Sequence, residues 1–295
     1  MLDLLNQLNS IPEFLYSSTF ILGLLIGSFL NVVIYRLPKM MEQDWKSQCE
    51  ILLELPINEK KGQEEQAEEK ITLSTPNSTC PKCQHAIKPW ENIPVISYLF
   101  LKGKCSQCQN KISLRYPSIE LATAILSLFT IIHFGASYAG LTALGLTWVL
   151  IALTMIDADT QFLPDSLTLP LLWAGLIINN FNVFSNLESA LWGAVFGYLS
   201  LWVVYHAFKL LTGKEGMGYG DFKLLGALGA WFGWQSLPII ILLSSVVGAI
   251  VGIAMILLLG KDKNIPIPFG PYLAIAGWIT LIWGDQIRVL WLGTI

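Results

Sequence analysis

Gly218-Tyr219-Gly220-Asp221-Phe222-Lys223 sets an acid behind two glycines and ahead of a long apolar run. A second acid, Asp157, closes an earlier apolar run in Met155-Ile156-Asp157-Ala158-Asp159. Ionisable groups at the edge of membrane-length segments are costly to bury, so they are read first as functional. Reading outward from these two acids decides how the chain crosses a bilayer.

The chain has 295 residues, of which 54% are hydrophobic and 13% are charged. That charged share is about half the usual one for a soluble domain. At roughly twenty residues per crossing, apolar runs fall at 14–35, 118–135, 139–156, 166–181, 188–210, 222–234, 237–259 and 270–291. The expected fold is an all-α polytopic membrane protein of about eight transmembrane helices. The segment 222–234 is short and glycine-rich, and omitting it would reverse the orientation of everything after it. A net charge of −3 gives no reason to expect nucleic-acid binding. The first thirteen residues hold Asp3 and Glu13 but no Lys or Arg, unlike the basic start of a cleaved signal.

Twelve of the 18 Lys and Arg residues lie between Arg36 and Arg115. This marks a soluble insert after the first span, giving three parts: a first transmembrane helix (1–38), a zinc-knuckle domain (39–117) and a membrane domain (118–295). Arg36 and Lys39 follow the first span with no basic residue before it, so the positive-inside rule puts the N-terminus outside and the insert in the cytoplasm. The expected outer loops carry no Lys or Arg. The inner ones carry Lys209, Lys214, Lys261 and Lys263, and only Arg288 runs against the pattern. Both Asp157 and Asp221 then lie at the cytoplasmic boundary.

Within the insert, residues 42–70 read as a solvated, charged excursion with Lys60-Lys61, Glu64-Glu65 and Glu68-Glu69. Cys80-Pro81-Lys82-Cys83 and Cys105-Ser106-Gln107-Cys108 are two C-x-x-C knuckles. Together they supply four thiolates for one tetrahedral, structural Zn²⁺. His85 is a spare donor that four cysteines make unnecessary, and Cys49 belongs to no motif.

Two carboxylates that converge share a proton: the ionised one takes a proton from water and the other polarises a carbonyl. Gly218 and Gly220 let the backbone approach an extended peptide. The competing reading makes Asp221 and Asp165 helix N-caps and Asp157 and Asp159 part of a solvated loop. Of the loop acids, Asp157 abuts its apolar run most closely. His85, His133 and His206 are scattered, with no zinc-protease or serine-hydrolase motif. In the first span, Gly27 and Ser28 permit close helix approach and Asn31 is polar at membrane depth. This face serves either packing, with Arg36 snorkelling to the interface, or a substrate or cofactor site.

These residues resemble the bacterial type IV prepilin peptidases, membrane aspartyl proteases of the G-x-G-D class. The resemblance runs through residues 27–38, the four knuckle cysteines, Pro89-Trp90-Glu91-Asn92-Ile93-Pro94 and Arg115-Tyr116-Pro117. It continues through 156–169, 216–225 (with Lys223 in the motif) and Pro266-Ile267-Pro268-Phe269-Gly270-Pro271. It implies catalytic Asp157 and Asp221, which cut basic leader peptides from type IV prepilins and type II secretion pseudopilins at the cytoplasmic face of the inner membrane. It also implies N-methylation of the new terminal residue from S-adenosylmethionine. No Rossmann-type glycine fingerprint marks a donor site, so Gly27, Asn31, Arg36 and the knuckle domain are the candidates for that half. Membrane lipid is the expected surrounding. An ion-coupled transporter and a non-enzymatic membrane assembly factor are the alternatives.

Overall fold

The computed structural model describes residues 2–53, 71–259 and 267–292. Lys60, Lys61, Glu64, Glu65, Glu68, Glu69, Lys261, Lys263 and Pro266 lie outside the described residues. Among the described residues ten α-helices follow one another: α1 (Leu2–Asn9), α2 (Pro12–Leu52), α3 (Ile96–Phe100), α4 (Arg115–Phe134), α5 (Tyr138–Thr160), α6 (Asp165–Asn179), α7 (Leu187–Thr212), α8 (Tyr219–Phe232), α9 (Leu237–Leu259) and α10 (Gly270–Leu292). Among the described residues there is no strand, only two isolated bridges.

All eight expected apolar runs are helical. Among the described residues, six helices are long and apolar enough to cross a membrane. α6 and α8, with 15 and 14 residues, are not. At 1.5 Å per residue α8 spans about 21 Å, short of a hydrocarbon core of about 30 Å. By length alone six helices qualify as full spans, and α6 and α8 fall short of one. α2 differs from the expected first span in running on through Pro38 to Leu52. Pro38 lacks an N–H, so the Ile34 carbonyl loses its helical donor there.

The chain divides into two compact units, Phe20–Ile125 and Met1–Thr19 with Leu126–Ile295. In the first, α2 and α4 run antiparallel. A Cβ on Gly27 would lie 2.6 Å from the Glu120 Cα, so only glycine admits this approach. One turn on, the Asn31 amide donates to the Tyr116 carbonyl at 3.2 Å.

In the second unit α8 is the centre. Apart from Lys223, every residue from 221 to 232 is buried. Gly193 of α7 and Gly229 of α8 meet backbone to backbone, each in the place of the other's missing Cβ. α6 closes on the other side, where a Cβ on Gly175 would come within 2.6 Å of the Trp231 ring. The Asn179 amide, fully buried, donates to the carbonyls of Ala230 and Trp231 at 2.8 Å each. Small residues and interhelical hydrogen bonds of this kind hold helices together where lipid gives no hydrophobic gradient. α1 joins the same unit: Asn9 bonds both the N–H and the carbonyl of Ala136.

Gly193→Leu should therefore destabilise the protein by at least about 1–3 kcal/mol, the usual cost of overpacking. Thermal unfolding in detergent would read the change. An unchanged midpoint would show that α7 and α8 separate freely.

Candidate active site

Asp157 sits in the last turn of α5 and Asp221 in the first turn of α8, at 4% and 6% exposure. They lie close enough for their charges to interact. Three backbone features fix the arrangement. The Gln161 residue is left-handed (φ 55°) and returns its N–H to the Asp157 carbonyl at 2.8 Å, ending α5. The Gly270 N–H, at the start of α10, donates to Asp157 Oδ2 at 2.9 Å. Buried Leu163, in the α5–α6 turn, packs where side chains on Gly220 and Gly270 would stand, 2.7 and 3.1 Å from the added Cβ atoms. The ends of three helices and one turn thus converge on the two acids.

The helix-cap reading does not hold for these acids. Gly218 is the N-cap of α8 and Pro164 that of α6. Asp159 and Asp165 are exposed, and Asp165 takes both hydrogen bonds of the Lys223 ammonium at 2.6 and 2.7 Å. Lys223 thus ties α8 to α6. A Cβ on Gly218 would meet nothing closer than 3.9 Å, so space is open on that side of Asp221. Gly270 was legible only as part of the Pro-Phe-Gly-Pro run, because the group that acts is an amide N–H. Leu163 carried no signal at all. His133 and His206 pack against aromatic neighbours.

The cysteines form a second site, in the other unit. Their four Sγ atoms lie within 4.8 Å of one another, with Cys80–Cys108 at 3.7 Å and Cys83–Cys105 at 3.9 Å. A tetrahedron of sulfurs around Zn²⁺ at 2.3 Å has an edge of about 3.8 Å, so the residues fit the ion. The two knuckles are copies of one device. The Cys80 N–H bonds the His85 carbonyl and the Cys105 N–H the Asn110 carbonyl, both at 2.9 Å. Gln84 and Gln109 are both left-handed, at φ 59° and 56°. The Cys83 and Lys82 backbone N–H groups pull the Cys80 thiol down to about 6, toward the thiolate that binds metal. His85 is engaged elsewhere, 3.2 Å from Glu91. The Lys88 N–H, with Ser106 and His85, holds the Glu91 carboxyl down at about 2.

The candidates for a methyl-donor site have partners of their own. Gly27 and Asn31 face α4, as described above. Arg36 is buried, and its guanidinium donates to the carbonyls of Thr72 (3.0 Å), Leu73 (3.4 Å) and Pro76 (2.6 Å). Arg36 is thus held by main-chain carbonyls rather than reaching to an exposed surface. A buried acid missed in the sequence, Glu120, accepts the Val95 N–H at 2.8 Å. In the sequence it stands inside an apolar run, with no motif to mark it.

Comparison with known proteins adds the following. Residues 21–134 match the bacterial peptidase A24 N-terminal domain. Residues 144–253 match the type IV leader peptidase family. A prepilin leader peptidase/N-methyltransferase of Pseudomonas aeruginosa is 58% identical over 286 residues, 97% of this chain and 96% of its own length. Proteins of the same name from Aeromonas salmonicida and Neisseria gonorrhoeae are 53% and 47% identical, over 99% and 96% of this chain and equal shares of their own. No solved structure matches the chain.

Cys80→Ser should release about one metal ion per chain and lower the protein's unfolding temperature, since a structural metal supplies much of a small domain's folding energy. Elemental analysis of the purified protein reads the first effect. Metal content equal to wild type would overturn the four-thiolate assignment.

Proposed function

The chain belongs to the type IV leader peptidase family, and on that premise we propose that it is a bifunctional prepilin leader peptidase and N-methyltransferase. It removes the basic leader from type IV prepilins and type II secretion pseudopilins, then methylates the new N-terminal residue. The observation that carries the peptidase half is the burial of Asp157 beside Asp221 at converging helix ends.

In this reading one carboxylate is ionised and takes a proton from a water molecule as the water's oxygen attacks the scissile carbonyl carbon. The other, protonated, donates to the carbonyl oxygen. As the tetrahedral intermediate collapses, the C–N bond breaks, the leaving amine takes the proton that the first carboxyl had accepted from water, and the second carboxylate recovers its proton from a hydroxyl of the intermediate. The Gly270 N–H orients Asp157. The open side of Gly218 admits an extended substrate backbone, which a larger residue would obstruct. Lys223, engaged by Asp165, sets the position of α8.

Zn²⁺ held by Cys80, Cys83, Cys105 and Cys108 closes the knuckle domain and leaves no open coordination position for chemistry. S-adenosylmethionine supplies an electrophilic methyl group to the amine that cleavage exposes. Gly27, Asn31 and Arg36 already have partners, so their proposed part is to shape the methyl-transfer half rather than to contact the donor. The protein sits in the bacterial inner membrane, surrounded by lipid, with its N-terminus outside and both the knuckle domain and the acids toward the cytoplasm. The absence of basic residues from the expected outer loops supports that orientation.

Co-expression of a prepilin with the wild type should give a pilin lacking its leader and heavier by one methyl group, read by intact mass. Asp157→Ala and Asp221→Ala should each leave the leader in place, a loss of roughly 10²–10⁴-fold or more, at unchanged protein level. Undiminished processing in either variant would sink the assignment. Gly270→Ala offers a finer test, because its Cβ would stand 2.7 Å from Asp157 Oδ2. It should slow cleavage while both acids remain, and wild-type rates would show that the Gly270 amide does not position Asp157.

A further inference from the structure

α3, in the knuckle domain, is turned inside out for an element that stands in water. Ile96, Leu99 and Phe100 recur at helical spacing and share one face, and all three are exposed, Phe100 at 84%. Ser97, the polar residue of the helix, is buried. Its hydroxyl donates to the Trp90 carbonyl at 2.7 Å and accepts the Ile93 N–H at 3.0 Å. Trp90 and Ile93 lead into α3 and are exposed as well, at 65% and 44%. An exposed apolar patch of this kind marks a surface that something else covers.

Hydrogen bonds to a membrane helix set the level of this patch. Glu120, about one and a half turns into α4, accepts the Val95 N–H at 2.8 Å just ahead of α3. Val95 is held there at φ 58°, a conformation that is costly for a β-branched residue. α3 therefore starts within about 8 Å, along the axis, of the beginning of the α4 span. Exposed tyrosines stand at the same level: Tyr116 on α4, and Tyr35 on α2 one turn past the Asn31 that bonds the Tyr116 carbonyl. The Lys39 ammonium donates to the Tyr35 hydroxyl at 2.5 Å. Aromatic rings with basic neighbours are the side chains that occupy the headgroup layer of a bilayer.

The charge around the patch has one sign. Between residues 71 and 117 there are six Lys and Arg and a single acid, Glu91. Lys102 and Lys104, both exposed, follow α3 directly. The Lys88 ammonium lies 5.4 Å from the centre of the Trp90 ring. Apolar and aromatic side chains ringed by lysines match an anionic lipid surface in both its layers. We propose that α3 and the Trp90 turn dock the knuckle domain onto the bilayer, with the apolar face at the acyl boundary and the lysines on anionic headgroups. A protein partner would also cover apolar side chains, but nothing would require it to sit where α2 and α4 enter the membrane. The proposal rests on those two helices crossing the bilayer and not on the peptidase reading.

The test uses the full chain in nanodiscs of phosphatidylglycerol or phosphatidylcholine. One readout needs no substitution: wild-type amides of residues 96–101 should exchange about threefold or more slowly in the anionic discs. In the other, a photo-crosslinking residue at Leu99 or Phe100 should form adducts with phospholipid, and one at Gln107, exposed on the second knuckle, should not. Lys102→Gln combined with Lys104→Gln should lower the phosphatidylglycerol adducts about fivefold or more and leave the phosphatidylcholine adducts within about twofold, because each basic residue near an anionic surface adds about fivefold in affinity. Exchange and adducts indifferent to lipid charge, equal labelling from Gln107, or adducts only with a second copy or another protein would each overturn the docking surface. Neither readout involves cleavage, so its failure leaves the peptidase reading untouched.

Discussion

The backbone contact of α7 with α8 at Gly193 and Gly229 is what the rest of the membrane unit depends on. Lipid tails are as apolar as leucine, so helices there are held by close packing and hydrogen bonds rather than by escape from water. The two glycines allow the approach, and Asn179 and Trp231 tie α8 to α6 from the other side through backbone carbonyls. α8 is thereby solvated by protein. A helix so enclosed need not match the thickness of the bilayer, and 14 residues suffice. Its first turn ends where its neighbours put it, which is beside the last turn of α5.

That placement gives the acids their environment. Charges interact more strongly away from water, and two carboxylates there are best accommodated by sharing a proton. A cation two residues from Asp221 would offer a competing solution. Asp165 removes it by binding the Lys223 ammonium with both oxygens. In the proposed mechanism the outer ion pair therefore leaves the inner acids to balance each other.

Much of this was legible because side-chain chemistry leaves a mark in sequence. Asp157 and Asp221 stand at the ends of apolar runs, and four cysteines at knuckle spacing specify their own geometry. The knuckle repeat was legible too: Cys-x-x-Cys-Gln occurs twice, and both glutamines take the left-handed turn. The rest was hidden for definite reasons. A backbone amide such as that of Gly270 has no residue signature. Leu163 acts by filling two spaces left by glycines far away in sequence. The short α6 and α8 have the same apolar composition as full spans, and their lengths of 15 and 14 residues emerge only where the helices end in the structure.

Arg36 and Glu120, both buried, and Glu91, partly buried, show why a charge cannot be assigned from residue type alone. All three lie in the unit that holds the knuckles, where strands are absent among the described residues and much of the chain is turn. Turns leave carbonyls and N–H groups unpaired, and burying these unsatisfied is expensive. Arg36 satisfies three carbonyls, Glu91 the Lys88 amide and Glu120 the Val95 amide. Their charge is used up by the main chain. In the membrane unit Asp157 likewise accepts one backbone N–H, that of Gly270 at the start of α10. One amide does not account for a pair of buried acids at converging helix ends, and the proposed mechanism gives the pair its use in proton transfer.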